Sequence, residues 1–133
     1  MQEARTVSIS IQRAADAVYA YLSDPANMPR WSLFIKAMAR DGNAWVATTP
    51  EGTVRIRFAG PNQLGVVDHH VRVNPELEVY VPFRVVPNQE GSEVLFTVFR
   101  LAGMSDKQFA DDVAMVTTDL RRLKDALERS RDA

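Results

Sequence analysis

The sequence predicts an α+β fold: a curved antiparallel sheet of about seven strands wrapped around one long C-terminal helix, with two short helices after strand 1. Three observations carry this. From Phe109 the apolar residues Val113, Val116, Leu120, Leu123 and Leu127 follow at steps of four and three, which is one narrow stripe on a helix. Between about residues 33 and 101 the chain reads as alternating segments separated by turn residues, the pattern of an antiparallel sheet with one covered face. A helix of about 25 residues spans roughly 37 Å, and burying its six large side chains is worth about 10 kcal/mol gross. The sheet is the surface that can supply that burial.

In chain order, Thr6–Gln12 alternates, with Val7, Ile9 and Ile11 on one face, and reads as a strand. Ala14–Leu22 changes to helical spacing and stops at Ser23-Asp24-Pro25, because proline disfavours helix in the residue before it. Asn27 can cap a second short helix that has Pro29 in its first turn and leads into Trp31. Leu33–Arg40 is a weakly patterned strand, and Asp41-Gly42-Asn43 reads as a hairpin turn into Ala44–Thr49. After Pro50-Glu51-Gly52 come Thr53–Ala59 and Leu64–Val73, separated by Gly60-Pro61-Asn62. Asn74-Pro75 leads into Leu77–Val86, where Pro82 requires an edge position or a bulge, and Glu93–Leu101 is the last strand. Ser105 and Gln108 then form a capping-box pattern, flanked by Met104 and Phe109 at staple spacing. The opposite face of the helix, with Asp111, Asp112, Asp119, Arg121, Arg122, Asp125 and Arg129, reads as solvated.

The 133 residues suit one domain over 1–133, with an ordinary soluble composition of 46% hydrophobic and 25% charged residues. A net charge of −1, with 13 arginines and 3 lysines dispersed among acids, gives no reason to expect nucleic acid or an anionic membrane as partner. The absence of cysteine excludes disulfides, thiolate nucleophiles and cysteine metal sites. No apolar leader or run of 18 apolar residues is present, so the expectation is a cytoplasmic protein without integral membrane contact. Glycine-rich phosphate loops and metal-spaced histidine–carboxylate sets are also missing, so no metal or cofactor is expected.

Val7-Ser8-Ile9-Ser10-Ile11 before the helix Ala15–Leu22, the run Ser23-Asp24-Pro25-Ala26-Asn27-Met28-Pro29-Arg30-Trp31 and the ending Phe99 to Asp106 together resemble the START-like, helix-grip (SRPBCC) superfamily. The similarity covers nearly the whole chain and points to its small bacterial, polyketide cyclase/dehydrase-like members. It implies a cavity between sheet and long helix, entered near the short helices, that takes a lipid, quinone, steroid or polyketide. A minority of such proteins catalyse cyclisation or dehydration, and fold alone does not decide between carrier and enzyme.

Several residues could serve such a cavity. Trp31 lies where the resemblance places the entrance, and Phe34, Tyr21 and Tyr80 could add aromatic walls. Phe58, Val81 and Phe96 are the apolar candidates on the sheet, and Phe109 and Val113 those on the helix. Packing explains any one aromatic equally well. His69 shares a face with Val67, Val71 and Val73, so it is expected inside, with Asp68, His70 and Arg72 outside; a shift of strand phase by one would exchange them. An inward His69 could orient a ligand or act as general acid or base, or be a structural histidine bonded to a neighbour. Arg100 shares a face with Val94, Phe96 and Val98 and could bind an anionic group or stabilise developing charge. Alternatively its stem covers apolar surface while its head meets Asp68 or Glu93. The first functional expectation is binding of a small hydrophobic molecule. The rivals are a cyclase/dehydratase-type enzyme using His69, and a co-chaperone-like interaction module. An edge strand could also pair with a second copy to give a homodimer.

Overall fold

The computed structural model describes residues 1–132. Strand β1 (Ala4–Ile11) leads into helix α1 (Ala15–Leu22), a 3₁₀ turn at Pro25–Asn27 and the single-turn helix α2 (Met28–Trp31). Strands β2 (Ala37–Asp41), β3 (Ala44–Thr49), β4 (Gly52–Phe58), β5 (His69–Asn74), β6 (Leu77–Val81), β7 (Phe83–Asn88) and β8 (Gly91–Phe99) follow, and helix α3 (Asp106–Asp132) closes the chain. The strands form two antiparallel sheets, ordered β1-β8-β7 and β2-β3-β4-β5-β6, and a lone bridge between Val66 and Arg84 links them. This is the helix-grip architecture. No helix among the described residues is long and apolar enough to cross a membrane.

Capping decides where the helices begin. The Ser105 hydroxyl accepts from Gln108 N at 3.1 Å while Gln108 Oε1 accepts from Ser105 N at 2.8 Å, a closed capping box. At the short helices the cap is Asp24 instead of Asn27: its Oδ1 accepts from Ala26 N, whereas the Asn27 side chain donates to Tyr21 O. Along α3, Phe109, Leu120, Leu123 and Leu127 are buried, while Val113 and Val116 are only half-buried. The second half of the helix therefore packs tightly, against Ile11, Val18 and Val94 in one core.

Three expectations are corrected. The segment Leu77–Val86 is two strands, because Pro82 cannot donate to a ladder; eight strands result in place of about seven. Residues 64–68 lie outside the regular strand. The Asn62 side chain takes the N–H groups of Leu64 and Val66 on its Oδ1 and so competes with sheet pairing. Asp119 is not on a solvated face but 7% exposed, where its Oδ1 accepts from Leu33 N at 3.1 Å and ties the end of α2 to α3. Burial pushes the Asp119 carboxyl above the usual carboxylate range.

Candidate functional site

The break at Pro82 opens a cleft. In the β7–β8 ladder Phe83 pairs with Phe96, so Pro82 falls opposite Thr97. Thr97 N donates to Pro82 O at 3.0 Å, but the return bond needs an N–H that proline lacks. Beyond this point β6 pairs only with β5, and the end of β8 pairs only with β1. On the outer surface the Tyr80 ring stacks on Phe99 with centroids 6.3 Å apart, and on His70 at 4.9 Å. Where the strands part, a cavity of about 360 Å³ reaches under the first half of α3, within the size range of small-molecule sites. Its walls include Val79 and Val81 of β6, Phe96 and Val98 of β8, Phe34, and Met115 and Val116 of α3. The half-buried state of Val116 reflects this gap. Glu51 and Asp112 bring two carboxylates to a lining that is otherwise apolar apart from Tyr80 and Thr97.

His69 lies behind this cleft. It is 3% exposed and surrounded by the rings of Phe58, Phe83 and Phe96 at 5.2, 6.1 and 6.4 Å. Its Nδ1 lies 3.2 Å from Val67 O. A carbonyl only accepts, so Nδ1 carries the proton and Nε2 keeps its lone pair. Burial pulls the pKa down to about 4, so the ring is neutral at physiological pH. Trp31, Phe58 and His69 line a separate void of about 10 Å³ beside Leu22, Asp24 and Met28. That is room for about one water. The aromatic cluster thus fills most of the interior, and Trp31 joins it edge-on to Phe83 at 5.7 Å.

The candidate residues therefore divide. Phe34, Tyr80, Val81 and Phe96 line the cleft, Trp31, Phe58 and His69 line the small void, and Tyr21 borders neither. Phe109 is packed in the core, and Val113 and Arg100 border neither space. Arg100 follows the end of β8, so strand alternation no longer sets its direction. Its guanidinium donates to Met104 O, Glu3 and Asp106, not to Asp68 or Glu93. Those bonds hold the loop before α3. Asp68 pairs instead with Arg84 through two bonds and accepts from Tyr80 Oη and Phe83 N, which holds its carboxyl well below the usual range.

Sequence reasoning missed Glu51 and Asp112 as lining residues. Asp112 sits three residues after Phe109 and four before Val116, at the edge of the apolar stripe, which was the available signal. Its carboxyl is pushed up, first by burial and then by the charges of Asp111 and Glu51. A larger concavity of about 660 Å³ lies at the β7–β8 turn. It is a polar groove whose groups already bond one another, as Glu93 does with Ser10 and Asn88, and Lys124 with Ser10 O.

Residues 3–130 match the family described as polyketide cyclase/dehydrase and lipid transport. No curated protein matches the chain. Among solved structures, the Aha1 dimer from Colwellia psychrerythraea superposes with a TM-score of 0.77 at 17% identity, covering 95% of this chain and 96% of that one. A START superfamily protein from Mycobacterium smegmatis gives 0.67 at 12% identity, with 93% and 98% covered. The di-domain ARO/CYC protein BexL of the BE-7585A biosynthetic pathway gives 0.73 at 19% identity, with 95% of this chain but 46% of BexL covered. At these identities the likeness is one of fold.

Proposed function

Since the chain belongs to the polyketide cyclase/dehydrase and lipid transport family, we propose that it carries or senses a small hydrophobic molecule held in the cleft between β6, β8 and the first half of α3. The observation that supports this most is the apolar 360 Å³ cavity beneath a helix whose second half is fully packed. Its walls are mostly valine, phenylalanine and methionine, surfaces that give up water readily and adapt to ligand shape. The reading without catalysis rests on His69. Its free Nε2 belongs to a ring behind Phe96, beside a void that holds about one water, so proton transfer to a ligand in the cleft has no direct path.

The test is binding of the neutral fluorophore N-phenyl-1-naphthylamine, alongside organic extraction and mass analysis of the purified protein. Val116→Trp places a large side chain in the cleft and is expected to weaken probe binding by about tenfold or more. Arg55→Ala, whose exposed side chain pairs with Asp41 away from the cleft, should leave binding unchanged. Equal binding by the wild type and a folded Val116→Trp variant would remove the cleft from consideration. Turnover of a polyketide-like substrate that is lost in His69→Ala would favour the enzyme reading.

A further inference from the structure

The cleft carries an electrostatic bias that its apolar walls do not explain. Glu51, exposed, and Asp112, half-buried, are the charged residues of the lining, and both are acids. Neither carboxylate has a hydrogen-bond donor or ion-pair partner among the described residues. Several acids elsewhere do, although the surface residues Glu76, Glu90 and Asp125 do not: Asp41 pairs with Arg55, Asp68 with Arg84, Glu78 with Arg57 and Arg72, and Glu128 with Lys124. Even Asp111, next to Asp112, is held by Lys107 at 2.8 Å. Burial disfavours the charge on Asp112, and the neighbouring charges of Asp111 and Glu51 add to this. Two unneutralised negative groups beside low-dielectric walls raise the local concentration of cations and repel a third anion. The rings of Phe34 and Phe96 in the same lining offer faces to which a cation is attracted.

We propose that the cleft selects an amphipathic organic cation, an apolar body bearing a protonated amine or quaternary ammonium, whose charged end lies between Glu51 and Asp112. This inference rests on the carrier reading above and adds the head-group chemistry. Fatty-acid-like and other anionic ligands are disfavoured by the same two residues. The overall charge of −1 is too small to give this selectivity by itself.

Calorimetric titration with decylamine, 1-decanol and decanoate, below their aggregation limits and at neutral pH, compares three head groups on one chain. The expected order is amine, then alcohol, then carboxylate, with the amine at least about tenfold tighter than the carboxylate. In Glu51→Gln/Asp112→Asn the alcohol should bind as before while the amine loses its advantage, and added salt should reduce that advantage in the wild type. If amine and carboxylate bind the wild type equally, or the preference survives in the double variant, the inference is overturned and alcohol binding keeps the carrier reading intact. If none of the three binds, both readings fall together.

Discussion

Replacing His69 by leucine should remove an acid sensitivity that the wild-type fold carries. The imidazole titrates near 6.5 in an unfolded chain and at about 4 in the buried cluster of Phe58, Phe83 and Phe96. Below pH 6.5 the unfolded chain takes up a proton that the folded one refuses, so stability falls with pH. The loss is negligible at pH 7.5, roughly 1 kcal/mol near pH 5.5, and about 3 kcal/mol once the pH is below both values. Asp112 and Asp119, whose carboxyls are pushed up, act in the opposite sense, because the folded state binds their protons more readily. Asp68, whose carboxyl is pulled down, contributes stability above its ordinary range near 3.8 and loses it only as the pH falls below that. All three are retained in His69→Leu and cancel in the difference. Urea unfolding of both proteins at pH 7.5, 6.5 and 5.5 measures it directly. The two stability curves should diverge by roughly 1 kcal/mol over this interval, with the variant the flatter. Parallel curves would refute the claim that a neutral histidine is locked in the interior, whatever the variant's absolute stability.

Substitutions at two further positions test contacts that shape the fold around the site. Asp119→Ala leaves Leu33 N–H without its acceptor at the α2–α3 junction and should cost about 1–3 kcal/mol in urea unfolding. Asp119→Asn, which keeps an acceptor oxygen, should recover most of that loss; equal losses would mean the bond contributes little. Gly65 has φ +73° and lies against Val85 O, to which a Cβ would come too close. Gly65→Ala should therefore destabilise by at least about 2 kcal/mol, combining left-handed strain with the clash. An unchanged urea midpoint would place the loop elsewhere.

Element identity was legible where one local rule decided it. The 4-3-4-3-4 stripe and the Ser105/Gln108 box fixed α3, and Val7, Ile9 and Ile11 fixed β1. Residues 44–49 between two turn signals gave β3 to the residue. The misreadings arose where a distant partner intervened. Asn62 captured two backbone N–H groups of the next segment, Asp119 met the end of α2 across 86 positions of sequence, and Arg100 escaped strand alternation by lying one residue past β8. The inward side of His69 was readable from Val67 and Val71, whereas Val73, read onto the same face, is exposed at the irregularity between Arg72 and Asn74. The separation of His69 from the cleft was not readable, because that depends on how Phe58, Phe83 and Phe96 close around it.

Pro82 connects these threads. With an N–H at that position, the β7–β8 ladder could continue past Thr97 into β6 and join the two sheets. The unpaired interval instead leaves Val79, Val81 and Val98 facing Met115 and Val116 across open space. The tightly packed Leu120, Leu123 and Leu127 carry the attachment of the helix, so its first half does not have to close that space for the fold to hold. One residue type thus separates the closely packed part of the sheet from the part that borders the cleft. The buried histidine and the open cleft, so close in space, differ in chemistry because Phe58, Phe83 and Phe96 close around the first, although its ladder partner Val81 lines the second.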